Sequence, residues 1–302
     1  MYHNTFPVLL CLIISMTTMI STTIYAEQPT KMPIVSVLTE RVNSQSNAVL
    51  NPFSISQYRQ NYLLPFSYVT DPNTITTDGL NKENVDNLEA KYQLSIKLPV
   101  YLASQSGDGL YFGFTAVSFW QLYNSEKSKP FRETNYEPEL FYSWKRNTTL
   151  FGLNVNEFTL GISHQSNGRG GLKSRSWNRV YGTATFSNHA AFVRVKAWYR
   201  LEEDEKLDPF DALGDDNPDI TRYLGHGEIA VGTQFKQVNF LALVRNNLRT
   251  SNNKGSVELN LSYPISDRYE VLLQYFNGYG DSLIEYNRHQ QRIGLGVQLT
   301  FL

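Results

Sequence analysis

From residue 61 onward the chain consists mostly of stretches in which apolar and polar side chains alternate. Near its end, every second residue is apolar: Ile293, Leu295, Val297, Leu299 and Phe301. Because successive side chains of a β-strand point to opposite faces, this pattern predicts strands with one apolar and one polar face. Twelve such segments are predicted, at residues 61–70, 89–102, 109–123, 136–146, 156–166, 177–187, 189–201, 226–236, 238–248, 255–265, 269–279 and 291–302.

The lengths of the segments and of their connections both favour a membrane barrel. Most segments have about ten or more residues, which is closer to the ~9–11 of a tilted membrane strand than to the ~5–6 of a soluble one. The connections after odd-numbered segments are long and polar, and those after even-numbered segments are mostly short. The longest of the short set spans 147–155. Long loops at one end and tight turns at the other are typical of outer-membrane barrels.

The polar faces indicate a filled interior. They include Arg194, Lys196 and Glu258, charges of both signs that suit a narrow, packed lumen, while the apolar faces turn toward lipid. A last strand that reaches residues 301–302 can close the barrel and leave no free edge. We therefore predict an all-β fold, a twelve-stranded antiparallel transmembrane β-barrel with long extracellular loops and short periplasmic turns.

The first 26 residues are typical of a cleaved secretory signal. Residues 6–20 form an apolar segment that is too short to predict a membrane-spanning helix. Ala26, just before Glu27, provides the small residue expected at a cleavage site. We interpret residues 1–26 as the signal peptide, 27–60 as an irregular periplasmic arm and 61–302 as the barrel. The expected location is the bacterial outer membrane.

Composition argues against disulfide bonds in the mature chain and against a nucleic-acid partner. The sole cysteine, Cys11, lies in the signal, so the mature chain cannot contain a disulfide, which is compatible with export through the periplasm. The formal net charge is −1, and this near balance argues against a nucleic-acid partner.

Candidate chemistry lies at the end of the fifth predicted strand. His164 and Ser166 share a parity with Leu160 and Ile162, and a hairpin would bring Asn178 back beside His164 on the same face. A serine nucleophile needs a neighbouring base, and the base needs a partner that orients it. Polar groups are costly on a lipid-facing wall but cheap near its rim, where headgroups and water reach them. The spacing alone leaves both a catalytic and a structural interpretation open.

The same stretch resembles a known family. The motifs HQSNGR from His164 and SRSWNR from Ser174 are similar to the active-site segment of outer-membrane phospholipase A. The resemblance covers nearly the whole mature chain in order. Its other matching stretches are NPFSISQYRQNYLLP from Asn51, NSEKSKPFRETNYEPELF from Asn124, DDNPDITRYLG from Asp215, LSYPI from Leu261 and GYGDSLIEYN from Gly278.

The resemblance implies a serine hydrolase on the outside of the barrel wall. By that match Ser166 is the nucleophile, His164 the general base and then acid, Asn178 the orienter of the imidazole, and the N–H of Gly168 an oxyanion donor. The family hydrolyses both acyl esters of phospholipids, the A1 and A2 positions, and also lysophospholipids, through a serine acyl-enzyme.

The resemblance also implies Ca²⁺ and a homodimer that forms when the enzyme is active. The family's ligands map onto the backbone carbonyls of Arg169 and Ser174 and onto the hydroxyl of Ser128 from a second subunit. A second calcium site in the family uses an acidic residue that matches Asp216.

The chain departs from the family pattern at two positions. Gly171 stands where relatives can have an aspartate, which puts the Asp216 site in doubt. Ala116 stands where relatives can have a glutamine on the wall that faces the second subunit, so the strength of the dimer can differ.

Two alternatives follow from the residues. A non-enzymatic outer-membrane barrel, either a small pore or a structural or adhesive protein, predicts conductance or partner binding without lipid turnover. A soluble periplasmic β-sandwich hydrolase predicts extraction without detergent and conflicts with the length of the strands.

Overall fold

The computed structural model describes residues 55–300, apart from positions 77, 78, 81, 105, 127, 189, 190, 209 and 212. The predicted signal peptide and nearly all of the predicted arm lie outside the described residues. No helix in the described part of the chain is long and apolar enough to cross a membrane.

Thirteen strands form one sheet in the described residues. They are β1 (Ser56–Gln57), β2 (Tyr62–Val69), β3 (Leu88–Leu102), β4 (Gly109–Trp120), β5 (Phe131–Leu150), β6 (Leu153–Ser166), β7 (Ser176–Ser187), β8 (Ala191–Leu201), β9 (Gly227–Phe235), β10 (Val238–Asn246), β11 (Gly255–Pro264), β12 (Tyr269–Tyr279) and β13 (His289–Leu299). One short helix, α1 (Thr221–Leu224), and 3₁₀ turns at Gly171–Lys173 and Leu283–Glu285 lie in the connections.

The sheet closes on itself. Each strand from β2 to β12 pairs antiparallel with the next, and β13 pairs with β2. The two-residue strand β1 adds to the end of β3, with Ser56 opposite Lys97. This confirms the predicted twelve-stranded antiparallel barrel, since β2–β13 correspond to the twelve predicted segments.

The predicted connection at 147–155 is wrong. Strand β5 continues to Leu150 and β6 begins at Leu153, which leaves only Phe151 and Gly152 in the turn. Both turn residues have positive φ, 51° and 78°. Positive φ at both central positions is the geometry of the tight turns that match the twist of a hairpin. The turns at this end are therefore all short.

The outer wall is apolar as predicted. Leu160 and Ile162 on β6 are each 54% exposed, and the outward residues Ile293, Leu295 and Val297 on β13 are exposed too. Exposed aromatic side chains lie toward both ends of the wall. They are Tyr68, Phe131, Tyr136 and Tyr199 near the long loops, and Tyr101, Phe235, Tyr263 and Tyr269 near the short turns. Two aromatic belts around an apolar band are typical of a barrel in a membrane.

Ion pairs fill one part of the lumen. Arg132 binds Glu89 and Glu285 at 2.8 Å each, and Arg292 binds Glu89 at 2.9 Å and Asp281 at 2.6 Å. All five side chains are almost fully buried. Because buried charges are tolerated only when they are paired, this network explains why the inward positions of these strands contain both signs of charge.

Residues just before β2 enter the barrel. The ring of Tyr58 stacks on Phe141 with centroids 5.2 Å apart. Arg59 donates to Glu137 at 2.8 Å and to Glu139 at 2.6 Å. The described end of the predicted arm is therefore part of the packed interior, not a free extension.

An inward cluster of mostly aromatic side chains joins the lumen to the long loops. Its members come from the strands and from the loops β8–β9 and β12–β13: Tyr111, Phe141, Trp177, Tyr181, Trp198, Ile220, Leu224, Leu283 and Tyr286. Since the loop residues pack on strand residues, the loops are anchored to the wall that holds the predicted site.

Candidate active site at the outer rim of the barrel

The hairpin of β6 and β7 brings together the predicted histidine and asparagine. His164 lies directly opposite Asn178 in the register of the two strands. Its Nδ1 is 2.8 Å from the Oδ1 of Asn178. The juxtaposition predicted from parity is confirmed.

Ser166 lies two residues beyond His164 on the same face of β6. It pairs with Ser176 on β7 and with Tyr136 on β5, so backbone on both sides fixes its position. Among the described residues, no hydrogen bond joins the Ser166 hydroxyl to the His164 ring. Catalytic hydrogen bonds are often long or poorly aligned in structures without substrate and shorten when it binds. The strand therefore places the serine on the same face as the histidine, two residues further along β6.

The surroundings of this group are amphipathic. Leu160 and Ile162 continue the same face of β6 toward the middle of the wall and are exposed. In the other direction β6 ends in the polar loop of residues 167–175, which connects it to β7. The His164–Asn178 pair thus lies where the apolar wall meets the polar loops, a position at which lipid tails and headgroups meet.

One buried asparagine organises the β6–β7 loop. The Oδ1 of Asn167 accepts the backbone N–H of Arg169 at 3.2 Å and that of Arg175 at 3.0 Å. Its Nδ2 donates to the carbonyl of Lys173 at 2.8 Å and to the carboxylate of Glu133 at 3.1 Å. Since this side chain is only 3% exposed, these bonds are shielded from water and fix the loop.

Gly168 follows at a turn that favours glycine. Its φ is 62°, in the left-handed region, where a side chain would be strained. The next side chain, Arg169, donates to the carbonyl of Phe131 at 2.7 Å and so ties the turn to the start of β5. The N–H of Gly168 is therefore presented on a turn that is fixed from both sides.

Asp216, from the β8–β9 loop, contacts the β6–β7 loop. Its Oδ2 accepts the hydroxyls of Ser174 at 2.7 Å and Ser176 at 3.2 Å. The ammonium of Lys206 forms an ion pair with its other oxygen, and both side chains are about one-tenth exposed or less. An ammonium and two hydroxyls already satisfy this carboxylate, so it does not fit a calcium ligand in this arrangement.

The carbonyls of Arg169 and Ser174 are hard oxygen donors at the same end of the barrel, and they fit the type of ligand that Ca²⁺ prefers. The carbonyl of Ser174 accepts the guanidinium of Arg175 at 2.5 Å. That guanidinium must move before a cation can bind there. The described residues contain no cluster of three or more His, Cys, Asp or Glu side chains placed to hold a metal ion.

Ser128 is an exposed residue of the β4–β5 loop, which lies at the same end of the barrel as the β6–β7 loop. The position agrees with the predicted topology, in which the hydroxyl of Ser128 would come from a second copy of the chain.

Sequence reasoning missed one side chain that touches the group. The Nδ2 of Asn178 donates to the carboxylate of Glu203 at 2.8 Å. Glu203 lies two residues after Leu201, which is opposite Asn178 on β8. Continuing the parity of β8 past its last residue would have placed Glu203 on the outer face.

The inner side of the wall is rigid behind the site. Trp177 donates through its indole N–H to Gln165 at 2.8 Å, and the guanidinium of Arg179 lies 4.0 Å from the Trp177 ring centroid. Arg179 also binds Glu137 at 2.6 Å. These inward partners flank His164 and Asn178 in sequence and hold both strand backbones in place.

The barrel is closed and has twelve strands and an apolar wall, and a serine, a histidine and an asparagine lie together at its outer rim. These features define the class as an outer-membrane β-barrel enzyme. Comparison with known proteins gives the family. The sequence profile of the family described as phospholipase A1 matches residues 38–299, and the chain belongs to this family.

Individual proteins agree with this assignment. The chain is 38% identical over 255 residues to a phospholipase A1 of Klebsiella pneumoniae, with 83% of this chain and 84% of the relative covered. A solved calcium-bound dimer of outer membrane phospholipase from Salmonella typhi is 34% identical, with a TM-score of 0.75 and coverage of 84% and 96%. A solved active-site mutant of outer membrane phospholipase A from Escherichia coli, with alanine in place of an asparagine, is 35% identical, with a TM-score of 0.76 and coverage of 86% and 96%.

Proposed function

We propose that this chain is a calcium-dependent outer-membrane phospholipase that hydrolyses the A1 and A2 acyl esters of phospholipids and the remaining ester of lysophospholipids. The observation that carries the proposal is the 2.8 Å contact between His164 and Asn178 on the lipid-facing wall, with Ser166 two residues along the same strand. The active-site asparagine of the Escherichia coli relative supports a role for Asn178.

Ser166 is the proposed nucleophile. With the Nδ1–H of His164 donated to Asn178, the Nε2 lone pair is available to accept the proton of the Ser166 hydroxyl. The Ser166 oxygen attacks the ester carbonyl carbon and forms a tetrahedral oxyanion. When the bond to the glycerol oxygen breaks, the imidazolium gives its proton to that oxygen, and the lysophospholipid leaves.

Hydrolysis of the acyl-enzyme uses the same groups. His164 removes a proton from a water molecule, the resulting hydroxide attacks the acyl carbon, and the bond to Ser166 breaks as its oxygen regains the proton. Fatty acid is the second product. The N–H of Gly168 is the proposed oxyanion donor in both halves, because its turn is fixed by Asn167 and Arg169 before substrate binds.

The proposed calcium ligands are the carbonyls of Arg169 and Ser174 and the hydroxyl of Ser128 from a second subunit. When bound, the cation supplies positive charge and a polarised water near the developing oxyanion. We do not propose the second calcium site at Asp216, because Lys206 already forms an ion pair with its carboxylate. The calcium-bound dimer of the Salmonella typhi relative supports both the cation and the homodimer.

The proposed cellular context follows from the topology. The site lies at the end of the barrel with the long loops, which we assign to the cell exterior, so the substrates are phospholipids that reach the outer leaflet. The proposal includes a signal peptide at residues 1–26, which is cleaved before Glu27 during export, and a periplasmic arm at residues 27–60.

The test is release of fatty acid from mixed phospholipid–detergent micelles by refolded protein. Release in Ca²⁺ that chelator abolishes and that Ser166→Ala removes is the expected result. Release that persists in Ser166→Ala would overturn the assignment of the nucleophile. Release that ignores chelator would keep the nucleophile and remove the calcium and dimer proposal.

A further inference from the structure

Glu203 occupies a position that strand geometry explains. Leu201, the last residue of β8, is opposite Asn178, and Glu203 follows with the same parity, one step beyond on the outer face. Its carboxylate accepts the Asn178 Nδ2–H at 2.8 Å. In the described residues this is the one hydrogen bond of the Glu203 side chain, and the residue is otherwise exposed to solvent.

The chemistry of the three side chains makes this contact directional. An ionised carboxylate only accepts hydrogen bonds, whereas an asparagine amide has a donor end and an acceptor end. Glu203 therefore draws the Nδ2 end of Asn178 toward itself and turns the Oδ1 end toward His164. An acceptor at 2.8 Å from Nδ1 requires that Nδ1 holds the proton.

The opposite orientation of the amide would have the opposite effect. If the amide rotated by half a turn, its N–H would face Nδ1 of His164, and the neutral ring would then hold its proton on Nε2. A ring in that tautomer cannot accept the proton of Ser166. The carboxylate of Glu203 only accepts hydrogen bonds and reaches His164 through Asn178. It can thus decide whether the histidine acts as a base.

We propose that Glu203 is a positioning residue: it fixes the orientation of the Asn178 amide and, through it, the Nδ1–H tautomer of His164. The kinetic consequence rests on the proposed function, whereas the tautomer does not. Glu203→Gln is the informative change because a glutamine amide can either accept from or donate to Asn178, so both orientations become available at nearly unchanged size.

The matched control is Glu202→Gln. Glu202 is the neighbouring residue, is exposed and has the same charge, but within the described residues it makes no hydrogen bond to Asn178. Both variants lower the negative charge of the loop by one unit, so a difference between them isolates the hydrogen bond from the general field of the loop.

The first readout is the tautomer itself. Protein with ¹⁵N-labelled histidine, studied in detergent micelles under conditions where the ring is neutral, reports by ¹⁵N chemical shifts which nitrogen holds the proton. His164 signals are assigned by loss in His164→Gln. We expect the Nδ1–H form in the wild type and in Glu202→Gln, and a mixture of both forms in Glu203→Gln. An unchanged tautomer in Glu203→Gln would overturn the inference.

The second readout is kinetic. General acid–base catalysis contributes about 10²–10⁴-fold, and a mixture of tautomers keeps part of it, so we expect kcat of Glu203→Gln to fall about tenfold with KM unchanged, and Glu202→Gln to keep wild-type values. A further test uses Asn178→Asp. A carboxylate at position 178 accepts from the Nδ1–H of His164 whatever residue stands at 203, so adding Glu203→Gln to Asn178→Asp should leave the Nδ1–H tautomer unchanged.

The outcomes separate this inference from the proposed function. A wild type that is folded but releases no fatty acid would contradict the function while the tautomer measurement still tests Glu203. Equal kcat losses in Glu202→Gln and Glu203→Gln would overturn the positioning role, because they would show that charge and not the hydrogen bond is responsible. A tautomer that shifts when Glu203→Gln is added to Asn178→Asp would likewise contradict it, because Glu203 would then act by a path other than the Asn178 amide.

Discussion

His164 is oriented by a neutral partner, and its setting gives a physical reason. The site adjoins the lipid-facing residues Leu160 and Ile162, and a carboxylate held next to hydrocarbon would pay a large desolvation cost. The amide of Asn178 supplies the orienting hydrogen bond at 2.8 Å without a charge. The charge that does act on the group, that of Glu203, lies one contact further out, where water reaches it.

Removal of the side chains of Ser166, His164 and Asn178 should lower the activity by different amounts. We expect His164→Ala to lose as much activity as Ser166→Ala, because each removes a group that the proposed mechanism uses in every step. Asn178→Ala should lose less, since orientation is only part of the catalytic effect. The measurement is kcat/KM for fatty-acid release by each single variant at equal amounts of folded protein. Asn178→Ala as inactive as Ser166→Ala would contradict this order.

The alternation of side chains along the strands predicted the site residues that lie on regular strands and missed the residues that lie beyond them. His164 and Asn178 sit at positions whose facing residue follows from alternation alone. Glu203 and Asn167 lie beyond the last paired residues of their strands, in polar sequence that resembles a solvated loop. Their contacts depend on how the loops fold back on the wall, and no local pattern in the sequence specifies that.

At the level of elements, the β6–β7 loop is the part on which the site depends most. Asn167 makes four of the hydrogen bonds that shape it, to Arg169, Arg175, Lys173 and Glu133. Removing a buried side chain of this kind leaves several groups without partners, each of which costs about 1–3 kcal/mol. The loop should therefore lose its shape while the barrel strands remain paired.

We expect Asn167→Ala to lower kcat at least about tenfold, because the Gly168 N–H is no longer held in place. Asn188→Ala, the same substitution in the β7–β8 turn at the opposite end, should leave kcat within about twofold of the wild type. Activity of both variants is compared with thermal unfolding in micelles. Equal kcat values for the two variants would contradict the role given to the loop.

Elements were predicted well because the barrel imposes a strict alternation. The ends of most strands agree with the prediction within about two residues. Strand β5 is the main exception: it begins at Phe131, not at residue 136, and ends at Leu150, not at residue 146. Arg132 and Glu133 resemble loop residues in sequence, but both are buried in the lumen, where Arg132 finds its ion-pair partners on β3 and in the β12–β13 loop.

The whole molecule is a packed barrel rather than a pore. Ion pairs from β3, β5, β13 and the β12–β13 loop meet across one part of the lumen, and the aromatic cluster packs from the lumen to the loops β8–β9 and β12–β13. This arrangement favours the enzyme over the small-pore alternative. It also makes the stability of the barrel depend on charge.

Asp281 in the β12–β13 loop offers a direct test of that dependence. Burial alone would raise its pKa, but the charges of Arg292 and Lys91 outweigh burial and hold the pKa well below its ordinary value of 3.8. A group whose pKa is lowered on folding stabilises the fold fully above its unfolded pKa. That contribution is lost as the pH falls from about 4 through the folded pKa.

We expect Asp281→Asn to lower the free energy of unfolding at neutral pH by about 3–5 kcal/mol, since it breaks a buried pair. The difference from the wild type should shrink as the pH falls below about 4, because the wild type then loses the same charge. Urea unfolding of both proteins in the same micelles over this pH range measures it. A difference that stays constant down to the lowest pH would contradict the assignment to Asp281.

The most direct test of the central claim is covalent labelling of the proposed nucleophile. Refolded protein is treated with a long-chain alkyl sulfonyl fluoride, an ester-like reagent for activated serines, and the modified peptide is mapped by mass spectrometry. We predict a single sulfonyl group on Ser166, absent in Ser166→Ala and strongly reduced in His164→Ala. Protein that releases fatty acid yet is labelled at another residue, or not at all, would contradict the account.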